Sequence, residues 1–244
     1  HVANTIALLQ EGATIPFISR YRKEATGGMT DIQVAQVSNE LDKLTELQKR
    51  REYILSTIEA QGKLTPELAE RIRNCWDGTE LEDIYLPYKQ KRRTRAQVAR
   101  EAGLEPLAKR IMRQGPESIA SLLTPYKDCP MDPLQGARDI IAEWVSENER
   151  ARNTLRTTFG MHAVISSKVV KGKDADGQNF RDYFDWQERL DRCTSHRLLA
   201  MRRGEAEGIL RISIGVDDDR AIERLSRQFV RGNNECSQAV QAAV

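Results

Sequence analysis

The chain has 244 residues, and its 38 lysines and arginines against 36 aspartates and glutamates give a formal net charge of only +2. Hydrophobic residues make up 39% of the chain and charged residues 30%, a balance that allows a buried core and excludes general disorder. No run approaches the roughly 18 consecutive apolar residues of a membrane-spanning helix, and the first residues lack the pattern of a signal peptide. We therefore expect a cytoplasmic globular protein of one or two domains that has no membrane partner.

Helix start signals recur along the first part of the chain. Thr30 with Gln33, and Thr79 with Glu82, have the spacing of a capping box, in which two side chains bond the free N–H groups of a first helical turn. Between residues 31 and 61, apolar residues recur mostly at spacings of three and four, which predicts one helix about 45 Å long. A helix of this length could hold smaller helical bundles apart.

Proline and glycine mark further helix boundaries. Thr65 and Asp132 each precede a proline, which predicts a capped helix start at both places. The second of these helices is expected to continue from Pro133 to about Phe159. Left-handed helix ends are expected at the glycines Gly12, Gly27, Gly28, Gly62, Gly103, Gly115 and Gly208.

Two regions break the helical pattern. Residues 163–170 are rich in β-branched side chains and are followed by Asp176-Gly177 and the aromatic residues 180–186, which indicates a small hairpin. Residues 209–216 alternate as a strand, which needs a partner in this chain or in a missing part of the protein. The predicted fold is therefore mainly α, a multi-helix assembly with a long helix, a helix–turn–helix-like part and at most a small β element.

Positive charge is concentrated in residues 89–113, which contain nine basic and two acidic residues and therefore carry a local charge of +7. Such a run, beside Tyr85 and Tyr88, could contact phosphates and stack on bases. The alternative is a solvated face whose cations pair with nearby acidic helix ends. The candidate nucleic-acid-binding residues are Lys89, Lys91, Arg92, Arg93, Arg95, Arg100, Lys109, Arg110 and Arg113.

Residues 94–113 also have the outline of a helix–turn–helix around the turn glycine Gly103. In proteins that read DNA, the second helix enters the major groove, and here Lys109, Arg110 and Arg113 would face the bases. Helix–glycine–helix corners also occur in helical proteins that bind no DNA, so both interpretations stay open.

Two smaller basic clusters are open to the same two interpretations. In the first, helical spacing places Phe17 and Tyr21 on one stripe, which is expected to lie in the core. The neighbouring cations, Arg20, Arg22 and Lys23, would then cap helices or bridge to carboxylates. The second cluster consists of Arg197, Arg202, Arg203 and Arg211.

No catalytic or metal-binding constellation is visible in the sequence. The four cysteines form no C-x-x-C pair, and the C-x-x-H spacing of Cys193 and His196 lacks the third and fourth ligands of a zinc site, so we expect free thiols in a reducing compartment. The glycines fit neither a Walker motif nor a dinucleotide fingerprint. The run of aspartates at residues 217–219 could hold Mg²⁺, but a solvated turn before a helix is the simpler interpretation. We predict no enzyme, no cofactor and no small-molecule substrate.

Several segments together resemble the N-terminal region of the Tex-type transcription accessory proteins of bacteria. The resemblance rests on residues 8–28, with IPFISRYRKEATGG, and on residues 79–108, with TELEDIYLPYKQKRRTRA. Further matching segments are residues 61–72, 173–190 and 195–210. The resemblance implies an architecture similar to a eukaryotic transcription elongation factor. Beyond the N-terminal helices it implies a YqgF (RNase-H-like) domain, a helix–hairpin–helix module and an oligonucleotide-binding barrel to which much of the nucleic-acid binding is attributed.

The expected organisation is a helical region at residues 1–130 and a second helical region with short β elements at residues 131–244. Both ends of the chain interrupt a pattern, so we expect a fragment that stops before a YqgF domain. The expected function is a non-enzymatic scaffold that positions RNA- or DNA-binding domains and contacts phosphates itself. The alternative is a scaffold that docks RNA polymerase or other domains without contacting nucleic acid.

Overall fold

The computed structural model describes residues 1–90 and 93–244, and the predicted mainly α fold is confirmed. The contacts divide the chain into two units, His1–Lys89 and Gln90–Val244. The α-helices of the first unit are α1 (Val2–Gln10), α2 (Ile15–Tyr21), α3 (Lys23–Thr26), α4 (Asp31–Ala60), α5 (Pro66–Asn74) and α6 (Gly78–Tyr85). A short 3-10 turn, Leu86–Tyr88, closes this unit.

The predicted long helix is confirmed as α4. Its capping box is complete, because Thr30 Oγ1 accepts from the Gln33 N–H at 3.3 Å and Gln33 Oε1 accepts from the Thr30 N–H at 2.9 Å. Val34 is buried near the start of the helix, where α1 and α2 pack against it. Ile54 and Ile58 are buried near its end, in a core with α5 and α6. That core comprises Ile54, Ile58, Ile72, Cys75, Leu81, Ile84 and Tyr85.

Two predictions for the first unit are wrong. The cap of α6 is Asp77 and not Thr79, since Asp77 Oδ1 accepts from the Thr79 and Glu80 N–H groups at 2.7 and 2.8 Å. A carboxylate two residues upstream thus takes the place of the predicted hydroxyl. Phe17 and Tyr21 are exposed, and the buried residues of α2 are instead Ile18 and Ser19.

The second unit contains eight α-helices and three strands in its described residues. The helices are α7 (Arg95–Glu101), α8 (Glu105–Arg113), α9 (Ile119–Leu123), α10 (Pro133–Glu147), α11 (Glu149–His162), α12 (Ser195–Ala206), α13 (Asp218–Phe229) and α14 (Glu235–Gln241). The strands are β1 (Val164–Val169), β2 (Asp185–Arg189) and β3 (Leu210–Gly215). Helices α7, α8, α9, α10 and α14 share one hydrophobic core.

The second long helix is broken, contrary to the prediction. Asn148 has extended backbone (φ −69°, ψ 119°), which ends α10, and its side chain accepts from the Ala151 N–H at 3.0 Å, which caps α11. The predicted glycine stop at Gly115 is also wrong, because the left-handed residue is Gln114 (φ 56°). The Gln114 side chain donates to the Phe229 carbonyl at 2.7 Å and accepts from the Arg231 N–H at 2.8 Å. The other predicted glycines have the expected positive φ.

The β elements form one antiparallel sheet in the order β2-β1-β3. The strand predicted near residue 210 therefore finds its partner within the chain, with Ile165 opposite Ile214. The predicted hairpin exists, but its second strand is displaced: residues Gln178–Tyr183 form a 3-10 turn, and pairing begins at Asp185.

The division between the two compact units falls between Lys89 and Gln90 along the chain. The domain boundary expected from the sequence, between residues 130 and 131, stays a prediction. Throughout residues 1–90 and 93–244, no helix is both long and apolar enough to cross a membrane.

Candidate nucleic-acid interface

The predicted helix–turn–helix outline is present as α7 and α8. Thr94 Oγ1 caps α7 by accepting from the Gln97 N–H at 3.1 Å, and Gly103 (φ 78°) makes the turn. Both helices pack against α10, and α8 also packs against α14. Gly136 on α10 permits this close packing, since a Cβ there would lie 2.4 Å from Leu104 Cδ1.

Most of the cations at this corner are held by local carboxylates. The ion pairs are Arg93–Glu101 at 2.8 Å, Lys109–Glu105 at 2.7 Å and Arg110–Glu117 at 2.7 Å. The hydrogen bond from Arg93 lowers the pKa of Glu101, and the hydrogen bond from Lys109 lowers the pKa of Glu105, so both acids stay ionised to a lower pH than an unpaired glutamate does.

Among the predicted site residues, Arg100 is the one whose side chain joins two packed helices. Its half-buried guanidinium pairs with Glu143 on α10, and the Thr94 hydroxyl donates to the same carboxylate at 3.3 Å. Because a partly buried pair is screened less than an exposed one, this contact ties α7 to α10. Arg100 is therefore not free to contact a phosphate in this arrangement.

The remaining predicted residues differ in their surroundings. Arg95 and Arg113 are exposed and form no ion pair with any residue that the structure describes. Lys89 is also exposed, but it belongs to the first unit. Lys91 and Arg92 lie outside the described residues. Tyr85, which was expected to stack on bases, is instead buried in the core of the first unit.

Local structure accounts for part of the other candidate sites of the sequence. Asp217 caps α13 by accepting from the Arg220 N–H at 2.9 Å, in agreement with the helix-start interpretation. In the cluster near residue 200, Arg197 pairs with Glu188 at 2.8 Å and Arg202 pairs with Glu205. In the part of the chain described, no three His, Cys, Asp or Glu side chains are grouped so as to hold a metal ion.

Two family models match this chain. The model described as "Tex-like protein N-terminal domain" matches residues 1–59, and the model described as "Tex central region-like" matches residues 126–244. The chain belongs to the Tex family. Together the two matches cover nearly three quarters of it, and α7 and α8 lie between them.

Curated relatives of the Tex family match over most of this chain. "Protein tex" of Bordetella pertussis is 46% identical over 89% of the chain and 28% of its own length. "Transcriptional accessory protein Tex" of Neisseria gonorrhoeae is 44% identical over 88% of the chain and 29% of its own length. "S1 RNA-binding domain-containing protein 1" of Pongo abelii is 30% identical over 88% of the chain and 23% of its own length. The chain thus spans less than a third of these relatives.

Sequence reasoning missed two grooves of this Tex-family chain. One, of about 570 Å³, lies between α4 and α6 and is walled by Leu44, Arg50 and the exposed Trp76. The other, of about 470 Å³, lies between α11 and α13 and includes Arg150 and Arg224. The second had a readable signal, because residues 150, 153, 154 and 157 are spaced to share one face of a helix.

Proposed function

We propose that this chain is a non-enzymatic helical scaffold region of a transcription accessory factor. In this role it positions domains that bind nucleic acid, and it adds phosphate contacts of its own. The name of the Neisseria gonorrhoeae relative supports a role in transcription, and the name of the Pongo abelii relative supports RNA as a partner of the larger protein. Because the chain spans less than a third of either relative, the activity of the whole protein is part of the proposal.

One observation carries the phosphate-contact part of the proposal. The α7–α8 corner pairs Arg93, Lys109 and Arg110 with local carboxylates but leaves Arg95 and Arg113 exposed without such a partner among the described residues. A cation that is already paired with a carboxylate neutralises a phosphate less completely than an open cation does, so fewer of the counterions condensed on the nucleic acid are released. The open cations, with Lys89, are therefore the best candidates for contacts to a nucleic-acid backbone.

The same ion pairs support a second candidate function. A corner whose charges are balanced internally can dock on an acidic protein surface, such as one of RNA polymerase or of another domain, without binding nucleic acid. In that case the open cations at Arg95 and Arg113 would steer the partner.

Fluorescence anisotropy with single-stranded RNA and duplex DNA, from about 50 to about 200 mM salt, separates the two functions. The variant Lys89→Gln/Arg95→Gln/Arg113→Gln should reduce the slope of log affinity against log salt by about 2 to 3. The matched variant Arg93→Gln/Lys109→Gln/Arg110→Gln removes the same charge from paired positions and should reduce it less. Equal reductions would contradict the assignment to open cations. If the unmodified chain does not bind at low salt, the docking function replaces the phosphate-contact function.

A further inference from the structure

Helix α2 turns an aromatic face outward. Ile18 is fully buried, and Ser19 is buried with its hydroxyl donating to the Pro16 carbonyl at 3.2 Å. These contacts fix the rotation of α2. As a result Phe17 is 40% exposed and Tyr21 is 68% exposed.

The two exposed rings form one assembled surface with a cation. The ring centroids of Phe17 and Tyr21 lie 5.6 Å apart at an interplanar angle of 44°. The guanidinium carbon of Arg22 lies 5.2 Å from the Phe17 centroid, within the range of a cation–π contact. Both rings are therefore held in place by their neighbours while much of their surface stays open to solvent.

Among the described residues, the cations around these rings have no carboxylate partner, in contrast to most of those at the α7–α8 corner. Arg20, Arg22 and Lys23 are exposed and form no ion pair with any residue in the described ranges. From Ile15 to Thr26 the only acidic residue is Glu24, so the segment carries a net charge of +2. An aromatic surface with open cations attracts a polyanion that has flat apolar faces.

We propose that the α2 face, formed by Phe17, Arg20, Tyr21, Arg22 and Lys23, is a stacking platform for single-stranded nucleic acid. Unpaired bases stack on the open rings, and the cations contact the adjoining phosphates. A duplex buries the faces of its bases against one another, so it cannot use the rings. This site lies in the first unit, and it shares no residue with the phosphate contacts proposed for Lys89, Arg95 and Arg113.

The test measures anisotropy of the 244-residue chain with a labelled oligo-U of about 12 nucleotides and with a duplex of the same length. Phe17→Ala and Tyr21→Ala should each weaken binding to the single strand about tenfold, with an unchanged salt slope because no charge is removed. Arg20→Gln/Arg22→Gln/Lys23→Gln should lower the salt slope by about 2, since each phosphate contact on a single strand contributes about 0.7.

Tyr53→Ala is the matched control. Tyr53 is a 53% exposed tyrosine of the same unit with Arg50 5.2 Å from its ring, but that arginine is paired with Glu82. This variant should leave binding to the single strand unchanged. The aromatic variants should also leave binding to the duplex unchanged. The triple variant of Lys89, Arg95 and Arg113 is measured in parallel, so that failure of the phosphate contacts can be told apart from failure of the platform.

Unchanged affinity for the single strand in both aromatic variants, with unfolding temperatures equal to that of the original chain, would overturn the proposal. The face would then be assigned to protein docking. An equal loss for single strand and duplex would also overturn it. If either variant does not fold, ultraviolet cross-linking of the unmodified chain to a 5-bromouridine oligonucleotide decides: label in the peptide containing residues 17–23 supports the platform, and its absence there overturns it.

Discussion

Gly136 lies where α10 meets the α7–α8 corner, and its missing side chain allows that contact. A Cβ would lie 2.4 Å from Leu104 Cδ1 and 3.2 Å from the Ala99 Cβ, and both of these residues are fully buried. Overpacking of this kind costs about 1–3 kcal/mol, which exceeds the gain of up to about 1 kcal/mol that alanine brings to a helix.

We therefore expect Gly136→Ala to lower the free energy of unfolding by about 1 kcal/mol. Gly160 on α11 is the matched control, because it is exposed and a Cβ there would meet no atom within 4 Å. Gly160→Ala should raise the free energy of unfolding by about 0.5–1 kcal/mol. Urea denaturation measures both, and changes of the same sign would contradict the packing argument.

The ionised Glu82 side chain makes the stability of the first unit depend on pH. Arg50 donates to both oxygens of Glu82, at 2.6 and 3.0 Å, and this hydrogen bond lowers the pKa of Glu82. A lowered pKa in the folded state stabilises the protein above the ordinary carboxyl value of about 4.3, and the contribution is lost as pH falls through the folded value.

Urea denaturation at several pH values between about 7 and about 3 should therefore show stability falling below about pH 4.5. Glu82→Gln removes this titrating group, so its stability should fall less steeply over the same range. Parallel profiles for the variant and the original chain would contradict the prediction.

At the scale of elements, the start of α6 shows how a cap is chosen. Asp77 bonds two N–H groups of the first turn, whereas Thr79 lies inside the helix. Asp77→Ala should therefore lower the free energy of unfolding by about 1 kcal/mol, and Thr79→Ala should change it by less than about 0.5 kcal/mol. Thermal unfolding followed by circular dichroism measures both. A larger loss of unfolding free energy for Thr79→Ala than for Asp77→Ala would instead support the capping box that the spacing predicts.

Local patterns predicted most elements because the signals for them are local. The Thr30–Gln33 box, the proline after Asp132 and the apolar spacing within α4 each act over one or two turns. The break at Asn148 was missed because the apolar periodicity continues through it, and only the side-chain cap of α11 marks it. The outward rotation of α2 was missed for a different reason: Phe17 and Tyr21 fit a buried stripe, and tertiary contacts of Ile18 decided otherwise.

For the candidate site, the sequence located the basic stretch but not the state of its charges. Glu105 lies four residues before Lys109, a spacing that signals an ion pair. The pairing of Arg100 with Glu143 joins residues far apart in sequence, so only the packing of α7 on α10 could reveal it. Spacing alone therefore could not separate open cations from neutralised ones.

At the scale of the whole molecule, the division of the core predicts where the chain can be cut. Leu107 and Ile111 of α8 share a core with Ile140 of α10 and Val240 of α14, so a cut after residue 130 would split it. We expect fragments 1–89 and 90–244 each to unfold cooperatively, because each keeps its own core. Fragment 131–244 should expose apolar surface and lose cooperativity.

Circular dichroism and dye binding of the four purified fragments, 1–89, 90–244, 1–130 and 131–244, test this division. Cooperative melting of fragment 131–244 at the temperature of fragment 90–244 would instead support the domain boundary predicted between residues 130 and 131.

Helix α4 has buried residues only at Val34, Ile54 and Ile58, and its exposed middle section, residues 42–46, lies between two packed ends. Each residue inserted into that section turns one end against the other by about 100° and moves it by about 1.5 Å. Seven inserted residues return the two ends to within about 20° of their original phase while separating them by about 10 Å. The number of residues in α4 therefore sets two quantities together. One is the direction in which the α2 end of the helix faces, and the other is the distance of that end from the α5–α6 core.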